Sequence, residues 1–262
     1  MKGTTTMSVN LIAINIGNTR TQVAAVVDGE VIDVVACNPQ DAAMLTDAVR
    51  IANAELVDKT QRVAMVASVN SEGEDVIDQV VRETIEARTT YAHRDVPIPI
   101  GLQLDPEAIV GVDRLVNAAA AYDVLKQSCV VVDAGTAVTV DFVDGTGTFH
   151  GGAIVPGARL MMRSLHKYTS QLPEVEPAAP IEPIGHNTVE AMRTGVYYGL
   201  RGMVRELVEQ FAQVAGTFPL VVATGGDAQW LFEDFDLLDR LVPDLTLRGL
   251  AVTLRAALER ET

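Results

Sequence analysis

Apolar runs at 9–15, 20–27 and 30–36, rich in Val and Ile and separated by "NIGNT" and "DGE", predict three consecutive strands. Residues 40–57 then read as a helix and 62–69 as a strand. Val76, Ile77, Val80, Val81 and Ile85 recur at helical spacing and predict a second helix over 72–88. The order then returns. Strands are predicted at 129–133, 137–143 and 147–155, joined by "DAGT" and "DGTG", with a helix at about 157–169. The Pro-rich connector "LPEVEPAAPIEPIG" leads into a long helix, about 187–215, whose stripe of Met192, Val196, Leu200, Met203, Leu207 and Phe211 reads as core packing. A strand at 219–223 and a helix at 244–259 close the chain.

Three strands, helix, strand, helix, written twice, predicts an α/β protein of two similar domains with a cleft between them. The division falls at 1–115 and 116–262. A repeat near half the chain length is too long for a solenoid.

Each half opens with the same local form. "LIAINIGNTRTQV" (11–23) and "VVVDAGTAVTV" (130–140) both run a strand into a glycine turn, with Asn15 in the first where the second has Asp133. Such a turn exposes successive backbone N–H groups, a nest that binds phosphates. Asn18, Thr19 and Thr136 add short side-chain donors, and a carboxylate before the glycine can hold a cation. The competing reading is a pair of hairpins closed by glycine because glycine tolerates positive φ. "ATGGDAQ" (223–229) sets Gly225 and Gly226 between strand and helix, where backbone could approach a nucleotide or simply connect two elements. "GTGTFHGG" (145–152) reads as a hairpin turn followed by a small-residue stretch.

In "GVDRLVNAAAAYDVL" (111–125), Asp113 stands early in a predicted helix. It can be a first-turn acid complementing the helix dipole, or a general base with Arg114 beside it to grip a carboxylate; the residues leave both open.

Composition narrows the chemistry. The 262 residues are 48% hydrophobic, enough for one large or two modest cores. Twenty basic against 35 acidic residues give −15, with no basic footprint for nucleic acid. GxxxxGK[ST] is absent, which excludes a P-loop. Cys37 and Cys129 stand far apart with no zinc spacing; Cys129 reads as a buried small hydrophobe, and a reducing cytoplasm fits. No run of about 18 apolar residues suggests a membrane span. "MKGTTTMSVN" reads as a ragged start rather than a signal peptide, with Met7 a second candidate initiator after Met1.

Eight motifs in order, "NIGNT", "GVDR", "DAGTA", "GGAIVPG", "LHKYTSQLP", "GHNT", "TGG" and "DLTLRGL", run from Ile14 to Leu250. In these the chain resembles type III pantothenate kinase, of the acetate-kinase, sugar-kinase and actin-like ATPase superfamily. The resemblance implies two duplicated ribonuclease-H-like, actin-like ATPase domains. It implies that Asn15, Ile16, Gly17, Asn18, Thr19, Arg20, Thr21 and Gln22 cradle ATP, with Thr136, Gly225 and Gly226 as further nucleotide contacts. Gly111, Val112, Asp113 and Arg114 would form the pantothenate motif, Asp113 being the general base. Asp133 would bind a monovalent cation, K+ or NH4+, and Mg2+ would accompany ATP. His166 and Thr188 would reach pantothenate from the partner subunit of a homodimer. The implied reaction is ATP-dependent phosphorylation of pantothenate to 4′-phosphopantothenate, the first step toward coenzyme A.

Two positions depart from the family pattern. Its first motif opens with aspartate, here Asn15, and the tyrosine it often carries before "GVDR" is missing from "LQLDP" (102–106). The alternative reading is therefore a nucleotide-binding, catalytically weak regulatory relative of the same fold.

Overall fold

The computed structural model describes residues 9–57, 59 and 63–261. Met1, Lys2 and Met7, and residue 62 at the head of the predicted fourth strand, lie outside the described residues. The chain forms two compact units. One holds the described residues up to Ile100 together with Glu107–Asp123 and those from Asp244 onward; the other holds Gly101–Pro106 and Val124–Pro243.

In the first unit, β1 (Leu11–Ile16), β2 (Thr21–Val27) and β3 (Glu30–Cys37) form an antiparallel meander. Helix α1 (Ala42–Ala54) returns the chain so that β4 (Ala64–Ser68) pairs parallel to β1, and α2 (Ser71–Ile85) does the same for the edge strand β5 (Thr89–Tyr91). The sheet order is β3-β2-β1-β4-β5. Ile12, Ile14 and Ile16 pack with Leu45, Val49 and Ala52 of α1 and with Ile77 and Val81 of α2. The helices start where their caps dictate: Asp41 accepts from the Met44 N–H at 3.0 Å and Asn70 from the Gly73 N–H at 3.2 Å.

The second unit repeats the plan. After β6 (Gly101–Leu102), and beyond α3 (Val112–Leu125), which belongs to the first unit up to Asp123, strands β7 (Cys129–Ala134), β8 (Ala137–Val143) and β9 (Thr148–Pro156) form a second meander. Helices α4 (Ala158–Lys167) and α5 (Thr188–Ala215) precede β10 (Leu220–Thr224), which pairs parallel to β7. A five-residue helix α6 (Ala228–Phe232) leads to β11 (Arg240–Leu241). The order β11-β10-β7-β8-β9-β6 reproduces the first sheet with one added strand. Met192, Val196 and Leu200 of the predicted stripe are buried, with Met203, Leu207 and Phe211 packed against them. Cys129 is fully buried, and burial pushes its thiol up to about 12, as expected of a small hydrophobe. "GTGTFHGG" is the β8–β9 turn and the start of β9; a Cβ at Gly152 would lie 1.9 Å from the Val140 carbonyl oxygen, which accounts for the small residue.

The closing helix differs from the repeat as read from sequence. Helix α7 (Leu245–Glu261) packs against β1, β3 and β4 of the first sheet. Its Gly249 meets α3, where a Cβ would lie 2.3 Å from the Val116 carbonyl oxygen. Nearby, the Thr246 hydroxyl donates to buried Asn117 Oδ1 at 2.8 Å, and Arg255 pairs with Asp123 at 2.6 Å. The compact units are therefore discontinuous in sequence, whereas a division at 115/116 is continuous. Among the described residues no helix is long and apolar enough to cross a membrane.

Candidate active site

The two halves place their signature residues alike. In both β1 and β7 the fifth of six residues, Asn15 and Asp133, is half-buried while its five neighbours are fully buried. A side chain on an otherwise sealed strand thus reaches the strand's C-terminal end, where open α/β sheets bind ligands.

In the first unit, Asn15 faces Gln22 across the hairpin, its Nδ2 donating to Gln22 Oε1 at 3.4 Å. The turn closes with the Gly17 N–H donating to the Arg20 carbonyl at 3.0 Å, leaving Asn18, Thr19 and Arg20 exposed. Neither Gly17 nor Gly135 has positive φ, so conformational freedom does not explain the glycines. A Cβ at Gly135 would find only ordinary contacts, 3.7 Å to the Ala137 carbonyl oxygen and 3.9 Å to Asp133 Oδ1; at Gly17 it would lie 3.1 Å from the Arg20 oxygen. The fold asks little of glycine at 135, whereas a Cβ at 17 would crowd the Arg20 carbonyl; the space at Gly135 suits a phosphate approaching the backbone.

Asp113 lies in the first turn of α3, its Oδ1 accepting from the Arg114 N–H at 2.8 Å. Gly111 makes room for that carboxylate, since a Cβ there would stand 2.6 Å from Oδ1. Burial pushes the Asp113 carboxyl above its ordinary range, against the lowering effect of the Arg114 N–H and guanidinium. A first-turn acid kept for its charge would be pulled down by its helix; a raised carboxyl suits a proton acceptor.

One segment joins these pieces, and sequence reading passed over it. In the β4–α2 connection, Val69 donates its N–H to the Ile16 carbonyl at 3.0 Å, and Asn70 Nδ2 reaches the Gly17 carbonyl at 3.3 Å. Val69 Cγ1 would lie 3.7 Å from a Cβ on Gly111. The glycine turn and the "GVDR" loop thus meet at Val69–Asn70. The cap signal of Asn70 is visible in sequence; its contact across 53 residues is not.

In the second unit, Asp133 pairs across the hairpin with Thr139, whose buried Oγ1 has no hydrogen-bond partner. Gly225, at φ +96°, packs onto the same place; a Cβ there would lie 2.5 Å from Asp133 Oδ1 and 2.4 Å from the Ala134 carbonyl oxygen. Close approach to β7 therefore demands glycine at this position. A carboxylate oxygen beside an orphaned buried hydroxyl is a donor set that suits a hard monovalent cation. Thr136 is exposed at the turn, and its carbonyl accepts from the Gly157 N–H at 3.0 Å. His166 lies in the last turn of α4, its Nδ1 donating to the Leu172 carbonyl at 2.8 Å. Thr188 opens α5 beside the cap Asn187, which accepts from the Glu190 N–H at 3.0 Å. Both His166 and Thr188 are exposed, and neither bonds to Asp133 or Thr136. No cluster of three acidic, Cys or His side chains that could hold a metal occurs among the described residues. Mg2+ fits such a site as a companion of nucleotide phosphates and water rather than as an ion in a protein cage.

A profile of the family described as type III pantothenate kinase matches residues 11–210. The chain belongs to the type III pantothenate kinase family. That match takes in both glycine turns, "GVDR", His166 and Thr188, but not "TGG" or α7. Proteins named type III pantothenate kinase from Rhodospirillum rubrum and Dehalococcoides mccartyi are 42% and 39% identical over 161 and 173 residues, covering 62% and 66% of this chain. One from Akkermansia muciniphila is 40% identical over 158 residues, or 60% of this chain. The matched stretch spans 63%, 66% and 65% of these relatives' own lengths, just under two thirds in each.

Solved structures show the fold of this pantothenate kinase family member. A conserved Baf-family protein from Campylobacter jejuni superposes at TM-score 0.61 with 18% identity, over 96% of this chain and all of that one. MreB5 of Spiroplasma citri, solved bound to ADP, superposes at 0.51 with 11% identity, over 96% and 98% of the two chains. Component A of (R)-2-hydroxyglutaryl-CoA dehydratase from Acidaminococcus fermentans gives 0.54 with 14% identity, over 97% and 99%. The two-sheet α/β architecture is shared with these solved structures.

Proposed function

We propose that this protein phosphorylates pantothenate at the expense of ATP, giving 4′-phosphopantothenate, the first step toward coenzyme A. The observation that carries the reading is Asp113: a carboxyl raised by burial, seated by Gly111 in the motif the family uses for its alcohol substrate. Phosphoryl transfer is mainly positioning and charge neutralisation, so the protein's task is to align an acceptor oxygen and remove its proton. Asp113 takes the proton of the primary hydroxyl as that oxygen attacks the γ-phosphorus, and Arg114 holds the pantothenate carboxylate. Asn15 through Gln22 receive the ATP phosphates, with Thr136, Gly225 and Gly226 completing the nucleotide contacts. Asp133 and Thr139 would hold K+ or NH4+, and Mg2+ would ride on the triphosphate; together the ions supply positive charge against the phosphate oxygens.

We also propose a cytoplasmic homodimer, with His166 and Thr188 offered to the partner's pantothenate. Gly195, Gly199 and Gly202 recur along one exposed face of α5 with nothing beyond the helix's own backbone within 4 Å of where a Cβ would stand, next to half-exposed Tyr198. That face supports close helix–helix approach by a second copy. Both cysteines are free and buried, which suits a reducing compartment.

The test is ADP release with ATP, Mg2+ and K+ or NH4+. Turnover is expected to require pantothenate and to fall when Na+ replaces K+. ATP binding without pantothenate-dependent turnover in any of these salts would instead support the regulatory reading that Asn15 favours.

A further inference from the structure

Asn70 joins two elements that the sequence keeps 53 residues apart. Its Oδ1 accepts from the Gly73 N–H and caps α2. That bond fixes the orientation of the amide, because only Nδ2 then remains to donate, and it reaches the Gly17 carbonyl. The residue is itself held: its backbone N–H donates to Ser68 Oγ at 3.1 Å, and the same hydroxyl lies 3.2 Å from its carbonyl. The start of α2 is pressed against the strand that carries the turn, since a Cβ on Gly73 would lie 2.6 Å from Ile16 Cγ2. On its other side the connection meets Gly111 through Val69.

We infer that Asn70 is a positioning residue of the nucleotide site, clamping the Gly17 turn in its phosphate-binding conformation through Nδ2. This rests on the proposed assignment of the turn to ATP phosphates. The turn is closed internally by the Gly17 N–H to Arg20 carbonyl bond, and a tether from outside the turn fixes the aim of its outward N–H groups. Nδ2 supplies that tether at the carbonyl of the glycine itself. Asn70 touches no substrate; it acts through the turn.

The test separates clamp from cap. Asn70→Ser and Asn70→Asp both keep an acceptor for the Gly73 N–H, as serine and aspartate cap about as well as asparagine. Serine is too short to reach Gly17, and aspartate has no proton to donate at neutral pH. One neutral hydrogen bond corresponds to about 2- to 12-fold in an equilibrium constant. Asn70→Ser is therefore expected to raise KM for ATP by about that factor, leaving KM for pantothenate and the melting temperature near wild type. Asn70→Ala, which loses the cap as well, is expected to lower the melting temperature by about 2–4 °C in addition. ADP affinity, measured by calorimetry, should fall in parallel with the rise in KM. Asn70→Ser with wild-type KM and ADP affinity would overturn the inference, as would an effect confined to Asn70→Asp, which would report charge repulsion alone. A wild-type protein that binds no ATP or ADP would overturn the nucleotide assignment itself, a distinct result.

Discussion

Asp113→Asn is expected to abolish pantothenate-dependent turnover, by roughly 10²- to 10⁴-fold, without lowering the melting temperature at pH 7. Loss of activity alone would be ambiguous, so stability decides what kind of residue Asp113 is. Burial raises its carboxyl in the folded protein. The folded state therefore keeps the proton to higher pH than the unfolded chain does. Stability is greatest below the unfolded value and declines as pH rises through the raised folded value. The charged form is the one that burial disfavours. An amide removes that charge while its oxygen can still accept from the Arg114 N–H that Oδ1 now meets at 2.8 Å. A dead variant that melts no lower than wild type identifies a carboxylate kept for chemistry. A dead variant that melts much lower would make Asp113 a structural acid. The same raised carboxyl predicts that kcat/KM falls on acidification at a pH above the ordinary aspartate range.

The second large effect is expected at Asn15→Asp. Asn15 brings no negative charge to a position at the end of β1 that mirrors Asp133 at the end of β7. One unit charge at about 4 Å is worth on the order of 1–4 kcal/mol between water-like and surface-like dielectrics. That corresponds to roughly 5- to 1000-fold in metal affinity or rate. The local cost is small. Asn15 makes a single 3.4 Å bond to Gln22 Oε1, and rotation of the Gln22 amide would present a donor to the new carboxylate. Tighter Mg2+ or faster turnover in Asn15→Asp is the expected result, read from Mg2+ titrations of the rate at saturating ATP. An unchanged or inactive variant would count against the charge argument and leave the amide as the group suited to this chain.

Much of this arrangement is written in local sequence. The meanders, the α2 stripe and the long α5 follow from apolar periodicity, and the observed boundaries differ from the expected ones by a residue or two at most ends. The duplicated turns are legible because each is a strand ending in a half-buried polar residue before glycine. What stayed hidden is non-local. An amphipathic pattern at 244–259 shows that α7 buries a face, but not that Gly249 fits against Val116 of α3 in the first unit. The strands β5, β6 and β11, two or three residues long, exist only through their pairing partners. That the Gly225 backbone packs so tightly on β7 that its Cβ would lie 2.4 Å from the Ala134 carbonyl oxygen is equally invisible in the sequence. The reach of Asn70 to Gly17 and the orphaned hydroxyl of Thr139 are likewise properties of the fold, not of any window of residues.

The most direct test of the proposed activity follows the phosphorus atom. With ATP labelled at the γ-phosphate, Mg2+, K+ and pantothenate, the label is expected to appear in 4′-phosphopantothenate in step with ADP. Label retained in ATP, or released only as inorganic phosphate whether or not pantothenate is present, would contradict it.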